Sequence, residues 1–486
     1  MAQETLVHRR LLPANYKWIA LSITTIGAFM VSIDATVVIL AIPDMLIELR
    51  SNLVILIWVV MAYIFASTVL LLSLGRVADI YGRVRLYNIG FTVFTVGSLL
   101  CGLSQTDFQL ISSRVFQGVG GALMLVNAWA IVTESFPANE RGTAMGINSL
   151  TFALGSIAGP ILGGFILSVA SWRWIFLINL PIGIAGTYFS YRYLQEMSEA
   201  QPGERLDPVG ILAFSACLFA LLFALTQGAT MGFTSPLILA SLAVFVAALG
   251  FFIIWEEEYC CPALDLRLFK SREFNFAIVS ATLQSLAVFA VQFLVVFYLQ
   301  AVRGYSPLTA AFLLLPMPLG LAIAGPLSGR LADRIGARIP ASLGLCIQAA
   351  GVFWLSTITP FTPYSFIVVG LALTGIGGGM FYSPNTSAAM SASPRGRLGV
   401  AAATLATLRN TGMVTSFALA LAISAGTLPS AVVEQLFLGT ATYLGTATMY
   451  AFVAGMETAL HVSAFICLLA AGFSFVRGPR PASTAI

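Results

Sequence analysis

Gly75–Arg85 reads GRVADIYGRVR, and Gly329–Arg338 reads GRLADRIGAR. The second stretch begins 254 residues after the first (329 − 75) and repeats its G-R-x-A-D-x-x-G spacing. Both interrupt a chain of 486 residues that is 58% hydrophobic and only 9% charged. A soluble globular protein carries about 25% charged residues. The uncharged runs on either side of the motif are long enough for helices that cross a hydrocarbon core, which takes about 20 apolar residues each. The chain therefore reads as an all-α polytopic membrane protein built from two related halves.

The hydrophobic runs predict fourteen spans. Six precede a central pair at Val209–Thr226 and Leu237–Trp255, and six follow it. The expected organisation is an N-terminal segment 1–17, a six-helix bundle 18–194, a linker 195–273 with two extra spans, a second bundle 274–476 and a tail 477–486. Residues 427–449 are expected to form an external loop. Lys and Arg favour cytoplasmic loops. With both termini inside, 19 of the 24 fall in inner segments, three in outer loops (Arg50, Arg173, Arg303) and two, Arg114 and Arg409, inside spans. The expected location is the plasma (cytoplasmic) membrane. Both motif copies then lie in the inner loop between the second and third span of a bundle, an arrangement of transporters with pseudo-symmetric halves. Arg9, Arg10 and Lys17 precede an apolar stretch longer than a signal core with no A-x-A site, so the first span is expected to be retained. Six cysteines without C-x-x-C spacing read as buried thiols, not a metal or redox framework. The net charge of +4 is scattered over loops, which does not suggest nucleic acid.

Further stretches join the opening pair: Ser32-Ile33-Asp34-Ala35-Thr36-Val37-Val38 with Ala41-Ile42-Pro43, Arg114-Val115-Phe116-Gln117-Gly118, Gly155-Ser156-Ile157-Ala158-Gly159-Pro160-Ile161-Leu162-Gly163-Gly164, and Trp172-Arg173-Trp174-Ile175-Phe176-Leu177-Ile178-Asn179-Leu180-Pro181. Together these resemble the signature motifs of the major facilitator superfamily, and in particular its fourteen-span drug:proton antiporters of the EmrB/QacA type. The resemblance covers about Trp18 to Val476. It implies a major facilitator fold, two six-helix bundles that alternate access. It also implies a latch in which Asp79 pairs with Arg83 and Glu134, facing the start of a helix near Leu398. Gly75, Gly82 and, in the second copy, Asp333 complete that gate. The first copy departs from the family pattern at Ile80 and Tyr81, where a basic residue is usual; the second has Arg334. The glycines Gly155, Gly159, Gly163 and Gly164 with Pro160 would form a hinge and seal by family analogy, or simply a close-packing face.

Ionisable residues inside spans mark pathways or partners. Asp34 and Arg114 each lie about 10 Å from the outer end of their predicted spans, by seven residues at 1.5 Å, so they can meet. The pair is either a proton-carrying site or a static ion pair. Burial disfavours a charged carboxylate and a nearby cation favours it, so a change in either between access states would exchange a proton. The same carboxylate would attract a cationic cargo. Glu457 and His461, spaced i, i+4 on the last span, are a proton relay or a hydrogen-bonded pair. Arg409, in Arg409-Asn410-Thr411-Gly412, reads as a packing and hydrogen-bonding residue. Tyr63, Trp129, Asn148, Phe152, Gln284, Gln292, Phe381, Asn385 and Arg409 are candidate cavity residues.

The function expected from these readings is secondary efflux of amphipathic, lipophilic, foremost cationic compounds in exchange for protons. It needs no cofactor or metal, and the expected partners are the lipid bilayer, amphipathic solutes and protons, with the protein a monomer. Export of one endogenous metabolite or lipid is the alternative. An intramembrane enzyme would need a constellation such as H-E-x-x-H or G-x-S-x-G with His, and a nucleotide-driven pump a P-loop; neither sequence occurs. A passive channel fits poorly with duplicated halves.

Overall fold

The computed structural model describes residues 15–136, 141–197, 207–259, 262, 264, 266–392, 398–426 and 446–477. The segment 427–445, expected as most of an external loop, lies outside the described residues. So do the surroundings of Gly75 and the side chains of Asp79, Asn148, Phe152 and Asp333.

Long apolar stretches become helices because lipid offers no partner for a backbone N–H or C=O. The N-terminal half contains α1 (Tyr16–Glu48), α2 (Leu53–Tyr81), α3 (Arg83–Leu103), α4 (Asp107–Ser135), α5 (Arg141–Val169), a short α6 (Trp174–Leu177) and α7 (Asn179–Tyr193). Two central helices follow, α8 (Pro208–Met231) and α9 (Pro236–Glu258). The C-terminal half has α10 (Arg272–Phe297), α11 (Pro307–Leu314), α12 (Pro316–Ile335), α13 (Arg338–Ser356), α14 (Tyr364–Ser391), α15 (Leu398–Gly426) and α16 (Thr446–Val476). No strand occurs among the described residues. Twelve helices there are long and apolar enough to cross a membrane, against the fourteen expected. Outside that twelve, α5 and α15 are helices of 29 residues each.

Local signals set the ends. Asn52 caps α2 by accepting from the Ile55 N–H (2.9 Å), and Asp207 caps α8 through Gly210 (2.8 Å), with Pro208 in the first turn. The repeated motif marks the same event twice. Gly82 ends α2 at φ +92° and Gly336 ends α12 at φ +85°, conformations that disfavour a side chain. Boundaries differ from the sequence reading: α2 and α12 run on through the repeated motif to Tyr81 and Ile335, so most of each expected loop is helix, and α1 runs through Pro43 to Glu48 instead of ending near Ala41, which puts Asp34 near its middle.

The two halves pack by one plan. In the first, α1 meets α4, α5 and α7, α2 meets α4, and α3 meets α4 and α7; in the second, α10 meets α14, α15 and α16, α12 meets α14, and α13 meets α14 and α16. Glycine approaches make the correspondence residue-specific. A Cβ on Gly118 would strike the Tyr63 carbonyl, and one on Gly375 the Met317 carbonyl; Gly97 abuts Gln117 as Gly351 abuts Thr374. Gly155 abuts Phe29 and Ser32, as Gly412 abuts Thr282 and Ser285.

Two seams join the halves, α2 with α15 and α5 with α11. At the second, Gly164 leaves room only for the Pro307–Leu308 backbone and Ala311. The central helices break this symmetry: α8 lies against α2 and α15, beside the first seam only, and α9 packs on α8. Phe214 and Phe252 (centroids 5.5 Å apart) and the Trp255 indole donating to Asp207 (2.9 Å) bind the pair. Most of α9 is exposed.

We call the end that bears Gly82 and Gly336 the basic face. One apolar core joins the N-terminal half to the part of the C-terminal half remote from that face, from Ala287–Leu299 to Val414–Ala420. At the basic face the C-terminal half has a core of its own, built from Phe274, Ile278, Leu345, Phe381, Leu405 and their neighbours. The halves are thus fused at the far face.

Candidate functional site

The N-terminal half buries a charge pair. Asp34 on α1 is fully buried and Arg114 on α4 is 1% exposed. Arg114 Nη1 donates to Asp34 Oδ2 at 2.6 Å and to Gln117 Oε1 at 2.6 Å, while its Nε donates to the Val59 carbonyl at 2.9 Å. Asp34 Oδ1 accepts from Gln117 Nε2 (2.8 Å) and Asn179 Nδ2 (3.1 Å). Both amides also donate to Ser98 Oγ, at 2.8 and 3.4 Å. The Tyr63 ring lies 4.3 Å and the Phe176 ring 5.6 Å from the guanidinium carbon, which favours a desolvated cation. Five helices (α1, α2, α3, α4 and α7) supply this network, and every charged or amide group in it is partnered, the condition under which a buried ion pair is tolerated.

Neighbouring motifs place these groups. The glycine row of α5 lies along α1, with Gly155 on Phe29 and Ser32, Gly159 on Ile33 and Thr36, and Gly163 on Val37. At Gly155 and Gly159 α5 contributes no side chain, so Ser32 and Thr36 of α1 rest on its bare backbone, and α5 seats the face of α1 beside Asp34. The W-R-W stretch anchors the end of α7 that carries Asn179. Trp172 is buried, and Arg173 stacks over it (4.4 Å), donates to the Ser104 carbonyl (3.1 Å) and pairs with Glu48.

The matching positions of the second half carry no such pair. By the glycine correspondence, Asp34 matches Ala287, Ser98 matches Val352, Arg114 matches Leu371 and Gln117 matches Thr374, all fully buried. The fold packs without the charges.

At the basic face Arg83 pairs with Glu134. A residue not singled out from the sequence sits beside them. Glu196, just beyond α7, accepts from the backbone N–H groups of Arg83 (3.0 Å), Val84 (2.9 Å) and Arg85 (3.2 Å), the positive end of α3.

The other candidates disperse. Glu457 is exposed on α16, and His461, one turn on, stacks against Phe353 of α13 (5.4 Å); neither approaches Asp34, because α16 lies behind α10 and α13. Tyr63 is buried, with its ring over Arg114. Phe381 and Asn385 are buried in the C-terminal half instead of facing a cavity: Asn385 donates to the Ala277 carbonyl (3.0 Å) and accepts from Arg477. Burial pushes the Arg477 guanidinium down to about 10, with Glu273 opposing the shift. Gln284 donates to Gln348 (3.2 Å), Gln292 is half-buried, and Trp129 is 42% exposed. Arg409 donates to the Tyr382 hydroxyl. Cys101, Cys217 and Cys467 are buried as expected, but Cys346 is exposed.

Gln117, Asn179 and Ser98 are site residues that sequence reading quoted or passed over without assigning. Their signal is weak: uncharged polar residues in apolar helices commonly bond back to their own turn, as Thr24 and Thr68 do here.

A helical bundle of two related halves, joined at one face, with one buried charge pair in one half, defines a membrane transporter. The model of the Major Facilitator Superfamily matches residues 24–417, and the chain belongs to that family. It is 33% identical over 398 residues to the riboflavin transporter RibZ of Clostridioides difficile (81% of this chain, 85% of that protein). It is 34% identical over 396 residues to the multidrug resistance protein Stp of Mycobacterium tuberculosis (81% and 73%). Multidrug resistance protein 3 of Bacillus subtilis is 32% identical over 402 residues (82% and 78%). Among solved structures, an inward-facing bacterial homolog of the human lysosomal transporter Spinster superposes with a TM-score of 0.67 at 16% identity, covering 96% of this chain and 98% of that one. That last likeness concerns the fold alone.

Proposed function

We propose that this protein is a proton-coupled exporter of amphipathic compounds in the cytoplasmic membrane, working by alternating access in the manner of the fourteen-span drug:proton antiporters. The sealed Asp34–Arg114 pair carries the reading. A buried carboxylate held by a guanidinium and two amides is a two-state element. Protonation removes the charge that holds Arg114, and a shift of α4 or α7 against α1 removes the donors that hold Asp34. Each event favours the other by linkage. The bare backbone that α5 presents to Ser32 and Thr36 at Gly155 and Gly159 supports such a movement.

The Lys and Arg bias puts both termini and the basic face inside. Fusion of the halves at the far face then corresponds to a conformation open toward the cytoplasm, ready to collect cargo. The proton gradient supplies the drive, with no cofactor, and one chain suffices. Relatives named for multidrug resistance support a broad range of cargo; the relative named as a riboflavin transporter supports the second reading, a single specific solute.

The test is reconstitution into liposomes with an imposed pH gradient. Wild-type protein is expected to concentrate amphipathic probes against their gradient, and Asp34→Asn to move them only downhill. Gradient-driven accumulation retained by Asp34→Asn would remove Asp34 from the coupling.

A further inference from the structure

We infer that Arg409 and Tyr382 form the docking point for an anionic group on the transported compound, so that the cargo is an amphipathic anion. The inference rests on the transport reading above and names its substrate class.

Arg409 lies 11 residues into α15 (409 − 398) and Tyr382 nine residues before the end of α14 (391 − 382). At 1.5 Å per residue both sit about 15 Å from the basic face. The guanidinium donates to the Tyr382 hydroxyl and stands 5.1 Å from its ring. Its Nε is buried with no acceptor, and no carboxylate pairs with it. An arginine stays charged at any working pH. At this depth an unpaired cation is costly and marks a pathway.

Its surroundings say which way it faces. Helices α14 and α15 both flank α10, and α16 covers α10 from behind. With α16 on one side of α10, a link between Tyr382 and Arg409 lies on the other, and there Tyr382 is 46% exposed. The repeat does not require this charge. Three residues before Gly155, the counterpart of Gly412, stands Phe152.

Neither intramembrane acid singled out from the sequence offers the opposite sign beside Arg409. Asp34 is fully buried, its oxygens accept from three side chains, and Glu457 is on α16, away from the cleft. The cationic preference expected from the sequence assumed that Asp34 could reach the cargo. The planar guanidinium, half-buried with an aromatic ring beside it and an Nε that lacks an acceptor, suits a carboxylate, sulfonate or phosphate on an aromatic body.

The experiment measures binding to purified protein without any gradient. Xanthene, naphthalene and long-chain fluorescent probes are each made as a carboxylate and as a trimethylammonium compound. Wild-type protein is expected to bind the carboxylates about tenfold or more tighter than their cationic twins. Arg409→Gln should erase that preference by weakening the carboxylates alone, and Arg409→Lys should keep part of it. Should Arg409→Gln fail to elute as a single species, Tyr382→Phe carries the test, with a smaller loss confined to the carboxylates. No preference in the wild type, binding of neither series, or an Arg409→Gln protein that still prefers carboxylates would overturn the proposal. Loss of the preference in Arg409→Gln with no response to a pH gradient in the wild type would sink the coupling mechanism and leave this site standing.

Discussion

Asp34 and Arg114 show at single-residue scale how a charge pair can be dispensable for folding and still be retained. Removing one partner strands the other in an apolar interior, which costs about 3–5 kcal/mol, whereas replacing both by apolar residues is often neutral. Asp34→Leu is therefore expected to lower the apparent melting temperature in detergent well below that of the Asp34→Leu/Arg114→Leu double variant, which should melt near the wild type. A double variant as unstable as the single would mean that the pair holds the bundle together. The matching half, with Ala287 and Leu371 at these places, argues for tolerance. The charges of this site were legible in the sequence because a charge in an apolar span has few explanations. Its amides were not, because Gln117 and Asn179 gain meaning only from helices far away in the chain.

Between elements, the α1–α5 contact is set by what a glycine omits. A Cβ on Gly159 would lie 2.0 Å from Thr36 Oγ1 and 3.1 Å from the Ile33 carbonyl. Overpacking of this kind costs about 1–3 kcal/mol. Gly159→Ala should lose stability and transport, and Thr36→Ala should restore part of both, since the nearer obstacle is a side chain. Failure of the second substitution to help would place the strain in the backbone. At the basic face, Glu196→Gln withdraws a negative charge from the first turn of α3. Hydrogen exchange at the amides of Arg83, Val84 and Arg85 should quicken while exchange in the middle of α3 stays unchanged; equal protection in both proteins would mean that this carboxylate does not hold the turn. The sequence marked this turn through Gly82 and Arg83. It did not reveal Glu196, whose partners are backbone groups with no side-chain signature.

Under the alternating access proposed above, the molecule is described in a single access state. Ala311 on α11 is fully buried against Gly164 at the fused far face. In a background without native cysteines, Ala311→Cys should resist a membrane-impermeant maleimide at rest and react several-fold faster once a pH gradient and cargo drive the cycle. Reactivity that never changes would mean that the α5–α11 seam does not open. The central helices belong to this scale as well. Lying beside α2 and α15 alone, α8 burdens one seam and leaves the other free, an asymmetry invisible in a count of spans.

What the sequence determined by itself was the list of apolar helices, their grouping into two halves through the repeated G-R-x-A-D-x-x-G turn, and the few charges that had to find partners. It could not determine which way each helix is rotated. In water a helix shows its buried side by contrast with a polar one, but a helix in lipid is apolar all round, and its packing face is chosen by small residues and shape. Only the tertiary structure therefore decided that Asp34 is enclosed by α4 and α7, that Tyr63 and Asn385 turn inward, and that Arg409 meets Tyr382.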